Sequence, residues 1–351
     1  MSFYAVICRS VFVNEKNEKM KRERYVDIVK GLSILCITLL HYENGIFPSY
    51  LNVFIGSFMI TTFYVTSGWI SAMHPSNHSI KELIQKRWKQ LGIPYLWWTV
   101  IILIFDFVLW WLGYYDKYFI GRELYKSIIL RGIGTLWFLP ALFGGEIIWI
   151  WLRKQNKVWI ILLVLILTLC YQYYYHYFFA SKTEIIYRII DAPFHTVSNI
   201  LGAWVGIAFG FYSFNIFKKR LYNVSYRYKL GIIGLILCIF SFITANYLPL
   251  FLSPLGGLFA PLFGPLGWLL LAKTFQDSKL LDYLNYWGLN SLNLMVTHYS
   301  IVMVLFSIII EKGFGKSFNG WITIICFLLS LPIQYLLVIV INRHAKFTLG
   351  K

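Results

Sequence analysis

The sequence has few charged residues for its length, and this shortage narrows the kind of protein that it encodes. Only 13% of its 351 residues are charged, whereas 58% are hydrophobic and 19% are aromatic. Soluble globular domains are about 25% charged, and the mean hydropathy here is +0.64. A soluble protein is therefore excluded, and the composition indicates a polytopic membrane protein.

Several chemical signatures are absent as well. The five cysteines fall mostly in apolar segments without metal-ligand spacing, so neither a disulfide framework nor a metal site is indicated. The sequence has no Gly-rich phosphate loop, no nucleophile elbow and no appended soluble domain. Any chemistry must then take place inside a membrane bundle.

Acidic residues are scarce, with 15 Asp and Glu against 32 Lys and Arg. With the N-terminus placed in the cytoplasm, 22 basic residues fall in predicted cytoplasmic segments and eight in outer loops. We therefore expect an all-α integral membrane protein, a bundle of about ten transmembrane helices with both termini cytoplasmic. Because this bias explains the net charge of +17, nucleic acid is not an expected partner. The predicted spans are 26–46, 51–73, 93–113, 132–152, 157–179, 197–217, 230–249, 252–272, 289–310 and 320–342.

The first nineteen residues differ from the rest of the chain. A short apolar run is followed by Asn14-Glu-Lys-Asn-Glu-Lys, and no signal-peptide cleavage site is evident. We interpret residues 1–19 as an N-terminal tail or as residues upstream of a start at Met20. Residues 20–351 are expected to form a single transmembrane domain.

The first apolar segment contains ionisable residues within the predicted membrane span, where a charge is energetically most unfavourable. Lys30 and His41 are eleven residues apart, which places them near one helix face and roughly 16 Å apart along the axis. Asp27 lies near that face too. A charge at the bilayer centre costs at least ~2.5 kcal/mol, so such residues indicate a functional site.

Other polar residues in predicted helices are candidates with an alternative reading. Ser291 and His298 share one helix face, with Asn290 on the adjacent one. A lone membrane histidine is often a hydrogen-bonded packing residue, but these polar neighbours favour a function. Glu146 either pairs with a cation such as Lys30, stays neutral and hydrogen-bonded, or accepts a proton.

Charged groups near the membrane surfaces form two further candidates. Lys86, Arg87 and Lys89 make a basic cytoplasmic stretch, which either anchors the helix or binds the phosphates of a cytosolic ligand. Asp191 and His195 lie outside, just before the sixth helix, where a sugar could approach.

Five motifs occur in order: Asp27–Gly31 followed by His41, Phe63–Gly68, Lys86–Tyr95, Leu136–Leu139 and Gly288–His298. In this order they resemble the acyltransferase-3 family of bacterial integral-membrane O-acyltransferases, including its fucose 4-O-acetylase-like branch. The resemblance implies a single transmembrane acyltransferase domain over residues 20–351. Lys30 matches the Arg/Lys of the family's Arg/Lys-x10-His motif, whereas Gln90 stands where a second Arg is common.

The resemblance further implies an activity and a location. An acetyl group would pass from cytoplasmic acetyl-CoA, as a co-substrate, to a sugar hydroxyl of a surface or lipid-linked polysaccharide. The acceptor would be capsule, exopolysaccharide or lipopolysaccharide, and the location the bacterial cytoplasmic membrane. No permanently bound cofactor and no metal are expected.

On the matching positions, His41 corresponds to the catalytic base and Lys30 to a cation near the CoA phosphates. Imidazole has a suitable pKa for removing a hydroxyl proton, and His298 would orient substrate or polarise the carbonyl. Direct transfer and an acyl-histidine relay both stay open. The candidate residues are His41, His298, Asp27 and Glu146 for catalysis; Lys30, Lys86, Arg87 and Lys89 for the donor; and Ser67, Asn290, Ser291, Asp191 and His195 for the acceptor.

A transporter or flippase of lipid-linked sugar units is the competing class. Ten helices, a basic cytoplasmic face and buried polar residues would also suit a carrier. A carrier should tolerate His41→Gln and should not depend on acetyl-CoA.

Overall fold

The computed structural model of the protein describes residues 22–75, 79–155, 157–179, 182, 184–248 and 253–351. Within these ranges ten helices are long and apolar enough to cross a membrane, which confirms the predicted all-α membrane fold. The expected tail, residues 1–19, lies outside the described residues. In chain order the helices are α1 (Arg24–Tyr42), α2 (Ser49–Met73), α3 (Ile80–Trp111), α4 (Lys117–Ile128), α5 (Gly134–Gln155), α6 (Val158–Phe179), α7 (Ile185–Leu221), α8 (Val224–Asn246), α9 (Gly257–Phe275), α10 (Asp282–Leu289), α11 (Ser291–Gly313) and α12 (Trp321–His344).

Helices α4 and α10 are the two that do not span. Helix α4 begins after Asp116, whose carboxylate accepts the backbone N–H of Phe119 at 2.6 Å and caps the first turn. Its last turn is tied to α3, because the Tyr95 hydroxyl donates to the Ser127 carbonyl at 2.8 Å. The other ten helices of the described residues are long and apolar enough to cross a membrane, and helices satisfy their own backbone groups away from water.

Helix α1 lies inside the bundle, whereas α6 lies at its edge. The apolar window of α1 is 61% buried and that of α6 only 6%. The first half of α1 packs directly on α10 through two glycines. A Cβ on Gly31 would lie 1.8 Å from the Leu284 carbonyl oxygen, and one on Gly288 would lie 1.7 Å from that of Asp27. Only glycine allows the two backbones to approach so closely.

The contacts of α1 define two ends of the bundle. We call the end where α1 begins the basic end, since Arg22, Arg87 and Arg153 lie there. The other, where α1 ends at Tyr42, is the histidine end. Helix α10 accompanies the start of α1, and α11 continues beside it toward His41.

Helix α11 departs from α-helical geometry beside the end of α1. A π-helical segment runs over His298–Met303, after Thr297 with φ −109°. Thr135, at the start of α5, donates its hydroxyl to the Met295 carbonyl at 2.7 Å, just before this segment. Short π segments in helices are frequent at functional sites.

Candidate active site

Two histidines meet between α1 and α11. The rings of His41 and His298 lie edge to face with centroids 5.1 Å apart. Tyr299 contacts the His41 ring from α11 at a centroid distance of 4.8 Å. His298 is fully buried, whereas His41 is partly exposed. Residues 257 positions apart in sequence thus form one cluster with an inner and an outer imidazole.

Backbone hydrogen bonds fix the tautomer of both rings. The Nδ1 of His41 lies 2.7 Å from the Ile37 carbonyl, and that of His298 lies 2.7 Å from the Leu294 carbonyl. Because a carbonyl oxygen can only accept, each Nδ1 carries the proton and each neutral ring keeps its lone pair on Nε2. The Nε2 of His298 is buried without a partner among the described residues.

His41 faces a polar cavity of about 360 Å³ at the histidine end. Helix α4 covers one side of it with Arg122, Glu123 and Lys126, and α3 contributes Asp106. His41 therefore lines a space that has charged walls.

The loop between α4 and α5 forms another wall of the cavity. Leu130, Gly132 and Gly134 all have positive φ, at 61°, 70° and 52°. A Cβ on Gly134 would lie 2.3 Å from the Ser300 hydroxyl, so the loop passes against α11 only because this residue is glycine. The tight path places Arg131 on the cavity surface.

Two side chains that line the cavity, Tyr115 and Arg131, have shifted pKa values. Burial raises the pKa of Tyr115 to about 12, and the nearby Asp106 and Glu123 carboxylates add to the shift, so the phenol keeps its proton. Burial lowers the pKa of Arg131, while Asp191 opposes the shift. Arg131 has no carboxylate oxygen of the described residues within 4.0 Å and stays charged.

Other candidates lie at the basic end instead. Arg87 Nε approaches Glu146 Oε2 at 2.9 Å, and the Ser67 hydroxyl donates to Glu146 Oε1. Arg22 pairs with Asp27 through two bonds of 2.7 and 3.0 Å. Glu146 and Asp27 are thus held by cations at the basic end, and Asp27 precedes His41 on α1 by about four turns.

The cations predicted for the donor divide into inner and outer ones. Lys30 lies within electrostatic range of Asp27, Arg87 and Glu146, but no carboxylate oxygen of the described residues is within 4.0 Å of its ammonium. Arg87 points inward, whereas Lys86 and Lys89 are exposed at the same end. Lys30, Arg87 and the two surface lysines together form a basic group at one end of α1.

The acceptor candidates fall in three different places. Asn290 accepts from Asn342 at 2.9 Å within a polar contact between α11 and α12, and Ser291 is the half-buried first residue of α11. Ser67 contacts Glu146. Asp191 and His195 line a second cavity of about 280 Å³ on α6 and α7.

Asp191 and His195 are joined through one tyrosine. The Tyr175 hydroxyl lies 2.7 Å from both Asp191 Oδ1 and His195 Nδ1. Arg131 interacts electrostatically with Asp191 and also lines the His41 cavity. The second cavity therefore lies at the same end as His41, with Arg131 between the two.

Comparison with known proteins identifies the group to which the chain belongs. A family model described as an acyltransferase domain, that of acyltransferase-3, matches residues 23–339. The chain belongs to the acyltransferase-3 family. It is accordingly a multi-pass membrane acyltransferase, which needs an acyl donor and an acceptor. Searches of curated proteins and of solved structures each gave no significant match.

Within this acyltransferase-3 domain, sequence reasoning missed several cavity residues. Asp106 could have been identified from the sequence, because it is a carboxylate inside a predicted span. Like Lys30, such an ionisable residue indicates a functional site. No feature of the sequence distinguishes Glu123, Arg131 or Tyr115, since polar residues near a membrane surface are common. Their meeting depends on how α4 and the following loop fold over α3.

Proposed function

We propose that this acyltransferase moves an acetyl group from acetyl-CoA, bound at the basic end, to a sugar hydroxyl that enters at the histidine end. The acceptor would be a surface or lipid-linked polysaccharide of a bacterial cell, with the basic end in the cytoplasm. One observation supports the proposal most directly. His41 has its proton fixed on Nδ1, its lone pair on Nε2, and a polar cavity beside it.

His41 is the base in this proposal. A hydroxyl oxygen attacks the thioester carbonyl while His41 Nε2 takes the hydroxyl proton. The tetrahedral intermediate then expels the CoA sulfur, which receives that proton from His41 and leaves as free CoA. A sugar ester and neutral His41 remain, so the step needs neither metal nor redox partner.

His298 positions His41 rather than contacting the acceptor. It is fully buried behind the His41 ring and does not line the cavity. Its buried Nε2 has no hydrogen-bond partner among the described residues, and its ring lies edge to face with that of His41 at a centroid distance of 5.1 Å. This arrangement supports direct transfer through a single base.

The basic group at the start of α1 suits the donor. CoA carries phosphates, which Arg and Lys side chains bind. Lys30 and His41 are eleven residues apart on α1, roughly 16 Å along the axis, comparable to a pantetheine arm. Phosphates at Lys30, Lys86, Arg87 and Lys89 would leave the thioester near His41.

The test compares surface polysaccharide from otherwise identical strains that carry the intact protein, no protein, His41→Ala or His344→Ala. His344 is an exposed histidine at the end of α12 and serves as the matched control. Proton NMR of O-acetyl methyl signals is the measurement, at equal membrane levels. We expect the signal to vanish without the protein and in His41→Ala, and to persist in His344→Ala.

Two results would contradict the proposal. An undiminished O-acetyl signal in His41→Ala would remove His41 as the base. A persistent signal with a lower polymer yield in the strain without the protein would favour movement of lipid-linked sugar across the membrane.

A further inference from the structure

Two carboxylates in the His41 cavity are buried but not fully paired. Asp106 is 3% exposed and Glu123 is 2% exposed. Asp106 Oδ2 and Glu123 Oε2 have no hydrogen-bond partner among the described residues. A buried carboxylate oxygen without a donor is costly. Because Asp106 and Glu123 also line the cavity, these oxygens are available to a partner from outside the chain.

The surroundings of Glu123 fix which of its oxygens is available. Arg122 Nε lies 2.9 Å and Lys126 Nζ 3.0 Å from Oε1. Two cations on one oxygen hold the carboxylate rigidly and leave Oε2 for another donor. Asp106 has no cation of the described residues within 4.0 Å and therefore forms no ion pair with them.

The walls disfavour a metal ion as the missing partner. Arg122 and Lys126 already place two positive charges against Glu123. In the part of the chain that the structure describes, no group of three or more His, Cys, Asp or Glu side chains is arranged to hold a metal. The available oxygens therefore call for hydrogen-bond donors rather than a cation.

The remaining walls suit a ring with both apolar and polar faces. Tyr115 and Phe119 stack at a centroid distance of 3.9 Å and line the cavity together with Trp137. Arg131 adds a guanidinium that has no carboxylate oxygen of the described residues within 4.0 Å. Carboxylates accept from hydroxyls, a guanidinium donates to ring or hydroxyl oxygens, and aromatic faces cover C–H groups.

We propose that this cavity binds one sugar ring of the acceptor, with Asp106 Oδ2 and Glu123 Oε2 accepting hydrogen bonds from two of its hydroxyls. Arg131 donates to a further oxygen of the same unit. The assignment of the ring as the acetyl acceptor rests on the proposed function, because His41 lines the same cavity. A site that accepts hydrogen bonds from sugar hydroxyls rejects a deoxy sugar, because the missing hydroxyl would leave a buried carboxylate oxygen unpaired.

The test measures sugar binding directly, with the full chain in lipid nanodiscs. Tritiated methyl glycosides of glucose, galactose and fucose are the probes, in a scintillation proximity assay. Asp106→Asn and Glu123→Gln each replace an acceptor oxygen by an amide that donates. We expect binding of at least one glycoside to weaken by roughly 10- to 100-fold in each variant.

Matched variants keep the result interpretable. Glu311→Gln changes an exposed carboxylate at the same end and should bind like the intact protein. Glu123→Gln also loses an ion pair and can lose stability for that reason. Asp106→Asn removes no ion pair, so this variant alone decides the question if Glu123→Gln does not fold.

Equal binding by Asp106→Asn and the intact protein would overturn the sugar site. So would the absence of binding by the intact protein above the level of Asp106→Asn for all three glycosides. Acetyl transfer by His41→Ala is measured on the same preparations and tests the proposed function separately. If transfer survives in His41→Ala while Asp106→Asn loses binding, the catalytic proposal fails and the sugar site stands.

Discussion

The buried carboxylates at the basic end are each paired with a cation, whereas the histidine end holds one paired and one unpaired carboxylate. The paired one is Glu123, which contacts Arg122 and Lys126. At the basic end, Glu146 has Arg87 at 2.9 Å together with the Ser67 hydroxyl, and Asp27 has Arg22 at 2.7 Å. At the histidine end, Asp106 has no cation of the described residues within 4.0 Å. Removing one partner of a buried pair leaves an unbalanced charge, whereas an unpaired group has no partner to lose.

This difference separates carboxylates that stabilise the helix packing from carboxylate oxygens that we propose bind a ligand. At the end that we assign to the donor, Glu146 connects α5 with α2 and α3, and Asp27 on α1 pairs with Arg22 just before that helix. The unpaired oxygens face the cavity that we assign to the acceptor. Proteins keep such unsatisfied groups at functional sites, at a cost in stability.

The largest expected effect concerns the histidine end. His41→Gln keeps a polar side chain but removes the nitrogen that accepts the proton. We expect the rate of acetyl transfer to fall by about 10²- to 10⁴-fold, the usual contribution of a general base. The rate is measured with labelled acetyl-CoA in membranes with matched protein levels, and His344→Gln is the control. A rate within a factor of two of the intact protein would show that the polar cavity works without this base.

The basic end should respond most to a change in helix packing. Gly31→Ala would place a Cβ 1.8 Å from the Leu284 carbonyl oxygen, so α1 and α10 must separate. We expect a loss of about 1–3 kcal/mol of stability, as for other overpacked contacts. Thermal unfolding in detergent is the measurement. Gly56→Ala is the control, because nothing lies within 4 Å of its added Cβ; equal melting of the two variants would contradict the close contact.

A paired carboxylate should cost stability when it is neutralised. Glu146→Gln weakens the contact with Arg87 and leaves that guanidinium without its counter-ion. Because the Arg87 side chain is 32% exposed, water replaces part of the lost interaction. We expect a loss of about 1–2 kcal/mol by thermal unfolding. A second change, Arg87→Gln on this background, should then add little; full additivity would show that the two side chains act separately.

The smallest effect, of opposite sign, is expected for Asp106→Asn. The change removes a buried carboxylate that forms no ion pair within 4.0 Å among the described residues, so thermal stability should stay level or rise by about 1 kcal/mol. The same melting assay, with Glu146→Gln measured in parallel, gives the comparison. A loss for Asp106→Asn as large as that for Glu146→Gln would mean that both ends use their carboxylates structurally.

Much of this architecture can be predicted from the sequence. The number of spans, ten, is confirmed, and Lys30 and His41 lie on α1 as expected. Two bounds were wrong, because α3 and α7 begin earlier than predicted; Asp191 and His195, expected outside just before the sixth span, lie within α7. His298 also lies on a membrane helix as expected, and the structure brings it from α11 to the ring of His41. The predicted roles of these residues stay predictions. Of the three alternatives for Glu146, the structure shows pairing with a cation, and that cation is Arg87 rather than Lys30.

The sequence by itself determined the spanning helices and the polar positions within them. A run of about twenty apolar residues must form a helix in lipid, because each unsatisfied backbone group there costs several kcal/mol. Tertiary structure alone decided that Asp106, Glu123 and Arg131 share a cavity with His41. Their meeting depends on the fold of α4 and on the positive-φ loop at residues 130–134, and such packing between distant residues leaves no periodic signal in the chain.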